Sequence, residues 1–318
     1  MADEPNRAPD DFVLPFQIES SGARGRIVRM GPAITSVLGK HDYPEPVSRL
    51  LGEAMTLTAM LGAALKFDGK FILQTNSDGP VSFLVAHYHA PGNIRGYASF
   101  DKDAFEAVGD EAAEESQTRL FGNGHLAMTI DQGPDMDRYQ GVVPLEGNNL
   151  SEAADLYFRQ SEQLPTFIRI AVARHYEAGK DDEPGSWTWR AGGLMVQKLT
   201  EEGGTLKTNG HDADDAWTRA YLLASTVEDH ELLDPMLEPE RLLYRLFHEE
   251  RVRAFDATNV TAFCQCSRER VEQMLASFTQ ADIEDMAEEG RVKVKCEFCN
   301  TLYDLSMDDV LRINATVQ

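Results

Sequence analysis

The sequence predicts an α+β protein: an N-terminal β/α/β layered domain with a buried central helix, then a helical linker and a small C-terminal α+β domain. Three observations carry this prediction. Strand-like runs follow one another in the first two hundred residues, one helix without charge lies among them, and all four cysteines stand in two tight pairs near the end of the 318-residue chain. The length suggests about two domains, and 42% hydrophobic residues allow sizeable cores.

Short turns separate the strand-like runs, which favours antiparallel pairing over a doubly wound parallel sheet. The segment NSDGP at 76–80 stands between two of the runs, and its glycine can adopt the positive φ of a hairpin turn. The runs are RIVRM (26–30), KFILQT (70–75), VSFLVAHY (81–88), IRGYASF (94–100), LAMTI (126–130), YQGVVPL (139–145), FIRIAVARHY (167–176) and GGLMVQKL (192–199).

The central helix is predicted over residues 45–67. Pro46 stands near its start, where a missing N–H costs little, and residues 54–65 carry no charge on any face. A helix that is apolar all round must be buried on all sides, here between layers of sheet. A second, amphipathic helix is predicted over 150–164 with Ser151 as its N-cap.

A linker is predicted after the acidic, glycine-containing stretch 200–215, which has the composition of a domain boundary. Two helices follow, over 214–229 and 238–250, and Asp-Pro and Glu-Pro steps separate them. The second helix carries an apolar stripe at helical spacing: Leu242, Leu243, Leu246 and Phe247. The stripe either packs within its own helical pair or covers apolar surface of residues 1–200.

The cysteines predict a zinc site. One residue separates Cys264 from Cys266, and two residues separate Cys296 from Cys299. Zn²⁺ takes four ligands at tetrahedral corners, commonly as two short Cys pairs that folding brings together. Four buried free cysteines would not need this spacing, and a thioredoxin-type CxxC would need a βαβ setting. His248 could add a ligand, but with four thiolates it is interpreted as a surface histidine.

The segment around the cysteines has the features of a small zinc-binding α+β domain. Ser267 can cap one helix, and Thr279 with Asp282 resembles a capping box that opens a second. RVKVKC and TLYDLS then suggest two strands that meet at the metal, and Ser306 can cap a last helix.

Charge and motifs argue against several functions. The formal net charge is −23, and without a basic face the chain is a poor partner for nucleic acid. The start has no apolar secretion signal, and no run of 18 apolar residues predicts a membrane span, so a cytoplasmic protein is expected. Paired cysteines there bind metal or sense redox state more often than they form resting disulfides. No catalytic or nucleotide-binding motif is present, so no enzyme is expected.

Several stretches resemble, in order along the chain, those of the heat-shock-protein-33 family, the redox-regulated holdase chaperones. Acidic insertions at 101–117 and 177–186 depart from the family pattern. The similar stretches are RGRIVRMGPA, HDYPEPVSRLLGEA, LKFDGKFILQTNSDGPVSFLV, IRGYASF, YQGVVPLEG, YFRQSEQLPT, RLFHEERVRAF, CQCSRERV and CEFCNTLYDL.

The resemblance implies a substrate-binding core domain at 1–200, a linker at 201–252 and a zinc-binding redox-switch domain at 253–318. In the reduced state the four cysteines would hold one zinc ion. Oxidation would join 264 with 266 and 296 with 299, release zinc and unfold the switch domain and linker. The exposed apolar surface would bind unfolding proteins without ATP, often as a homodimer. The stripe from Leu242 to Phe247 is then a candidate lid over that surface.

Two other classes of protein remain as alternatives. A zinc-ribbon module that regulates a nucleic-acid machine should carry a basic patch, and this chain is acidic throughout. An enzyme whose zinc is structural should carry a cleft with convergent titratable groups, and the sequence offers no such constellation.

Overall fold

The computed structural model describes residues 10–65, 68–109, 117–133, 136–146, 149–179, 184–199, 210–310 and 312. By their contacts they form two compact units, Met1–Gly39 with Tyr43–Ala262, and Lys40–Asp42 with Phe263–Gln318. Within the described ranges, no helix is long and apolar enough to cross a membrane.

The strands, in chain order, are β1 (Phe12–Ile18), β2 (Ala23–Met30), β3 (Lys70–Ser77), β4 (Phe83–His89), β5 (Asn93–Ser99), β6 (Gly124–Asp131), β7 (Tyr139–Pro144), β8 (Thr166–Glu177), β9 (Ser186–Lys198), β10 (Val252–Ala254), β11 (Thr258–Asn259), β12 (Thr261–Ala262), β13 (Arg291–Lys295) and β14 (Leu302–Ser306). The helices are α1 (Pro32–Leu38), α2 (Glu45–Gly62), α3 (Lys102–Val108), α4 (Thr118–Phe121), α5 (Leu150–Tyr157), α6 (Gly210–Ser225), α7 (Asp229–Leu233), α8 (Pro239–Phe247), α9 (Arg268–Leu275) and α10 (Gln280–Met286).

Two sheets make up the larger unit. The first sheet has the order β10-β1-β2-β9-β8, with β11 also paired to β1, and the second has the order β12-β5-β4-β3-β6-β7. The pairing is antiparallel except between β12 and β5. Each of the eight predicted strand runs overlaps one strand of these sheets, and the prediction of antiparallel pairing is confirmed.

Helix α2 lies between the two sheets. It contacts β2, β8 and β9 of the first sheet and β3, β4 and β5 of the second. Every residue from Pro46 to Gly62 except Arg49 is buried, so the predicted central helix is confirmed. The helix packs so closely on β4 that position 62 must be glycine: a Cβ there would lie 2.4 Å from the Tyr88 ring. The helix ends at Gly62; residues 63–65 of the predicted range are not helical, and 66 and 67 lie outside the described residues.

The second predicted helix, 150–164, begins at Leu150 as predicted but ends two residues early. Helix α5 covers Leu150–Tyr157 and continues as a π-helical turn over Phe158–Glu162. The N-cap is Asn149, whose side-chain oxygen accepts the N–H of Glu152 at 3.0 Å. The prediction of Ser151 as the cap was therefore wrong. Leu150 already has helical backbone, and Asn caps as well as Ser does.

The acidic insertions are only partly described. The acidic insertion at 101–117 contains helix α3. Asp101 is the N-cap of this helix and accepts the N–H of Ala104 at 2.8 Å. Residues 110–116 and 180–183 lie outside the described residues, as do residues 200–209 of the predicted boundary.

The predicted linker region forms α6, the short α7 and α8, and these helices belong to the larger unit. Three short strands follow: β10 and β11 pair with β1, and β12 pairs with β5. The chain therefore passes into the smaller unit at Phe263. The division into core, linker and switch by function stays a prediction.

The smaller unit contains α9, α10 and the β13–β14 hairpin. Its caps follow the sequence signals: the hydroxyl of Ser267 accepts the N–H of Arg270, and Thr279 with Asp282 forms a capping box. Residues 307–310 are helical, and Ser306 Oγ accepts the Asp309 N–H at 3.2 Å. The core is small; its buried apolar residues are Val271, Leu275, Ile283, Val292, Leu305 and Val310.

One buried carboxyl on α2 predicts a pH-dependent stability. Glu53 accepts a hydrogen bond from Gln117 Nε2 at 2.5 Å, and burial raises the pKa of Glu53 from 4.5 to about 7. Between these two values the folded protein keeps a proton that the unfolded chain releases. The free energy of unfolding therefore falls as pH rises through this window and stays lowered above it.

We expect Glu53→Gln to stabilise the protein by up to about 3 kcal/mol at pH 8 and by much less at pH 5, because the amide cannot ionise. Urea unfolding at the two pH values, followed by tryptophan fluorescence, measures the difference. The exposed Glu240→Gln is the control. An equal effect of Glu53→Gln at both pH values would contradict the assignment.

Candidate functional site

The four cysteines of the smaller unit lie together. All four sulfurs are within 4.8 Å of one another, and all four are free thiols. The Sγ atoms of Cys264 and Cys296 are 3.7 Å apart, and those of Cys266 and Cys299 are 3.2 Å apart. A tetrahedral site with Zn–S bonds of about 2.3 Å would separate its sulfurs by about 3.8 Å. The cluster therefore has nearly the dimensions of a four-thiolate metal site.

The turn between β13 and β14 builds one half of the cluster. The N–H of Cys296 donates to the carbonyl of Thr301 at 2.9 Å, and that of Asn300 donates to the carbonyl of Cys296 at 2.8 Å. Asn300 has a φ of 61°, which Asn tolerates better than most residues. This tight turn directs the N–H groups of Phe298 and Cys299 at the sulfur of Cys296. Such donors stabilise a thiolate.

The other sulfurs are in unlike surroundings. Burial raises the pKa of Cys266 to about 12, although the Tyr303 hydroxyl donates to its sulfur at 3.1 Å and opposes the rise. Burial also disfavours the thiolate of Cys299, but hydrogen bonds from the hydroxyl and N–H of Thr301 bring its pKa down to about 6. Cys299 is thus prepared as a thiolate, whereas Cys266 would ionise readily only beside a cation.

Tyr303 and Thr301 did not stand out in the sequence. Both follow Cys299 within four residues, in the stretch that predicts the second strand, and this proximity is the only sequence signal for them. His248 is engaged elsewhere: its Nδ1 lies 3.0 Å from the carbonyl oxygen of Tyr244. In the parts of the chain that the structure describes, the metal-ligand cluster consists of the cysteines alone. Four sulfur donors at tetrahedral spacing suit Zn²⁺ or iron better than Mg²⁺ or Ca²⁺.

A second feature, in the larger unit, is the outer face of the first sheet, the face opposite α2. The predicted apolar stripe is buried against it: Leu242, Leu243, Leu246 and Phe247 are each at most 3% exposed. The rings of Phe247 and Phe16 stack with centroids 5.8 Å apart. The stripe therefore contacts the sheet and does not pack only within the linker helices. The sheet contributes Phe12, Leu14, Phe16, Ile18, Ala23, Ile27, Ala171, Leu194 and Val196.

Strand β1, which supplies much of this surface, was missed in the sequence. Apolar residues stand at every second position from Phe12 to Ile18, which is the signal of a strand with one apolar face. Pro15 interrupts the run and argues against a strand. It is tolerated because neighbouring residues still pair with β2 on one side and β10 on the other.

Comparison with known proteins gives consistent matches over nearly the whole chain. The family model described as Hsp33 protein matches residues 11–306. The 33 kDa chaperonin of Caulobacter vibrioides is 44% identical over 297 residues, which cover 93% of this chain and 95% of the relative. That of Nitrosococcus oceani is 39% identical and covers 93% and 91%.

A solved structure supports the fold. The crystal structure of the 33 kDa chaperonin from Thermotoga maritima, a heat shock protein 33 homologue, matches with a TM-score of 0.73 at 21% identity and covers 96% of this chain and 99% of that chain. Two sheets around a buried helix and a separate cysteine module are thus the architecture of a class of molecular chaperones. Within this class, the chain belongs to the Hsp33 family.

The cluster predicts the metal stoichiometry. We expect reduced protein to bind one Co²⁺ per chain, with thiolate-to-metal charge-transfer bands and the visible bands of tetrahedral cobalt, because four sulfurs surround one centre. Cys266→Ser should weaken binding, whereas Tyr303→Phe keeps all four sulfurs and should keep the stoichiometry. An oxygen or nitrogen atom in the first coordination shell of unmodified protein would contradict this prediction.

Proposed function

We propose that this protein is a redox-regulated, ATP-independent holdase chaperone. Reduced protein would hold one zinc ion through Cys264, Cys266, Cys296 and Cys299 and would be inactive. Oxidation would form two disulfides and release the zinc, and the cysteine module and linker would then unfold. The single observation that carries the proposal is the cluster of four sulfurs at metal-binding spacing in a module with a small core.

The energetics of the module support a metal-dependent fold. Structural zinc contributes about 10–16 kcal/mol of apparent folding free energy to small domains, whereas whole domains are stable by only about 5–15 kcal/mol. The six buried apolar residues of this module can replace little of that contribution. Zinc also keeps the cysteines as thiolates, the form that oxidants attack. Oxidation of the ligands is therefore expected to remove most of the stability of the module.

The path from the module to the covered surface runs along the chain. Between α8 and Cys264 stand a 3-10 helical turn at His248–Glu250 and the strands β10, β11 and β12, which have three, two and two residues. Such short strands hold few ladder hydrogen bonds. Unfolding of the module would leave them and the linker helices without a folded neighbour in sequence. Release of the linker would expose Phe12, Phe16 and the rest of the outer face to unfolding proteins.

The same proposal includes the setting in which the chaperone works. The partners would be unfolding client proteins, and the active form would be a homodimer in the cytoplasm. The net charge of −23 does not suit binding to nucleic acid or to an anionic membrane surface. Binding unfolded chains without ATP needs no catalytic residues, so the proposed activity is not enzymatic.

Oxidation should release zinc, switch on suppression of aggregation and pair neighbouring cysteines. In a metal-bound tetrahedron all sulfurs are equally close, so the resting site selects no pair. In an opened module, 264 with 266 and 296 with 299 close the shortest loops and leave the chain free to stay unfolded. Zinc release, light scattering of a heated client and peptide mapping follow the three events.

Zinc retained during full activation would contradict the proposal. Mainly crossed pairs, 264 with 296 or 266 with 299, would contradict the pairing and would indicate that the bonds form inside the folded module, where the Sγ atoms of these pairs lie 3.7 and 3.2 Å apart.

The lid hypothesis predicts an activity without oxidant. Leu246→Asp places an unpaired charge in the covered surface, which should cost several kcal/mol, while each buried Leu or Phe contributes only about 1.5–3 kcal/mol. We expect this variant to suppress aggregation while reduced and zinc-loaded. Tyr244→Asp, at a 66% exposed position on the same helix, is the control.

The aggregation assay is paired with hydrogen exchange of residues 239–247 and with a zinc measurement. A Leu246→Asp variant that keeps its zinc, loses protection in the linker and still needs oxidant would show that the linker is not the lid.

A further inference from the structure

Two buried arginines lie on the outer face of the first sheet, under the linker. Arg29 of β2 is fully buried, and Arg190 of β9 is 2% exposed. Arg29 stands opposite Gly192 in the register of β2 and β9, so Arg29, Gly192 and Arg190 share one face. A guanidinium in such a position costs much free energy unless its N–H groups are paired. Its partners therefore indicate what this surface is built to bind.

The partners are main-chain carbonyls of the linker. Arg190 Nε donates to the carbonyl of Leu233 at 2.7 Å, and Arg29 Nη1 donates to that of Leu237 at 2.7 Å. Arg29 Nε reaches the carbonyl of Leu232 at 3.4 Å. Two of these carbonyls end helix α7, where they have no partner within the helix and carry the negative end of its dipole.

The two arginines differ in how their charge is balanced. Arg190 has a carboxylate of its own, because Nη1 and Nη2 donate to the two oxygens of Asp10 at 3.0 and 2.6 Å. Arg29 has carbonyls as its hydrogen-bond acceptors, and its buried Nη2 has no acceptor among the described residues. Burial lowers the pKa of Arg29, and the charge of Arg190 beside it lowers it further. Arg29 is thus a desolvated cation with a donor to spare.

The absence of a side chain at Gly192 lets the linker backbone approach this site closely. A Cβ at Gly192 would lie 2.3 Å from the carbonyl oxygen of Leu232, so a side chain there would displace the linker from the sheet. The apolar residues Ile27 and Leu194 of the covered surface lie two positions from Arg29 and Gly192 on the same strands. Carbonyl-binding donors and apolar contacts are therefore combined in one patch.

We propose that Arg29 and Arg190, with Gly192 between them, form a binding site for main-chain carbonyls of apolar polypeptide segments. The linker fills the site at rest, and an unfolding client fills it once the linker has left. This inference rests on the proposed function for its second half. Unfolded chains carry unsatisfied carbonyls next to apolar side chains, and Asp234 and Glu238, whose charges act on Arg29, leave with the linker. Asp10, which Arg190 binds, is then the carboxylate that still acts on Arg29, and the open surface offers the Arg29 N–H groups that the linker carbonyls had occupied.

Three variants test the site. Arg29→Met removes the donor, Gly192→Ala displaces the linker but keeps both arginines, and Arg24→Met alters an exposed arginine of the same strand as the control. In reduced, zinc-loaded protein we expect amide exchange across residues 229–237 to be about tenfold faster in the first two variants and unchanged in the control.

Binding measurements on oxidised protein distinguish the role of Arg29 in client binding from its role in holding the linker. We expect Arg29→Met to bind labelled, permanently unfolded, reduced and carboxymethylated α-lactalbumin about tenfold more weakly than Arg24→Met does. Gly192→Ala should bind as tightly as the control, because its arginines are intact. Fluorescence anisotropy gives the dissociation constants. Should Arg29→Met fail the folding check by gel filtration, Arg29→Lys, which keeps the charge but loses the fork of donors, takes its place.

The outcomes are distinct. Equal affinities of the arginine variant and the control would overturn the client site, and unchanged exchange in both linker variants would overturn the resting site. If oxidised unmodified protein does not bind the probe at all, the proposed chaperone mechanism fails, and the exchange measurement still decides whether Arg29 holds the linker.

Discussion

The first sheet is apolar on both faces, and this constraint organises the larger unit. Its inner residues, such as Val13 and Met195, pack around helix α2, while Phe16 and Leu194 on alternate positions face outward. A sheet of this kind cannot stand with one face in water. The second sheet cannot cover the outer face, because it lies on the other side of α2. The linker helices cover it instead, and their apolar stripe packs against it.

A few short helices form this cover, and side-chain contacts hold them on the sheet. The linker lies on the sheet through the Leu242 to Phe247 stripe, through Arg29 and Arg190, and through ion pairs at its margin such as that between Asp229 and Arg169 of β8 at 2.8 Å. Glu250 accepts a hydrogen bond from Ser20, at the turn between β1 and β2. Each contact is modest by itself, and under the proposed mechanism they would be lost together. Such a surface can be covered firmly and still be uncovered as a unit.

The smaller unit has a different character, because it combines a small apolar core with four clustered sulfurs. Four sulfurs within 4.8 Å repel one another as thiolates unless a cation lies between them. The six-residue core and the caps at Ser267 and Thr279 set the fold around that centre. A change at sulfur can therefore have a large structural effect in this unit, whereas α2 and the two sheets have no comparable dependence on one site. The chain thus carries a large unit held by extended apolar packing and, after it, a small unit with four sulfurs at its centre.

The sequence by itself determined the local elements and the ligand set. Period-two and charge-free patterns located eight strands and the central helix, and cysteine spacing identified the residues that fold into one cluster.

Tertiary structure decided the remaining features, because they depend on partners distant in sequence. Strand β1 forms despite Pro15 since β2 and β10 pair with it on both sides. The stripe from Leu242 to Phe247 has the same helical period whichever surface it covers, and only the position of Phe16 decides which. Arg29 and Arg190 look like ordinary strand arginines in the sequence; the carbonyls that pair with them come from residues 232–237, some forty to two hundred positions away. Periodicity specifies a face of an element, whereas the partner of that face is set by the packing of the whole chain.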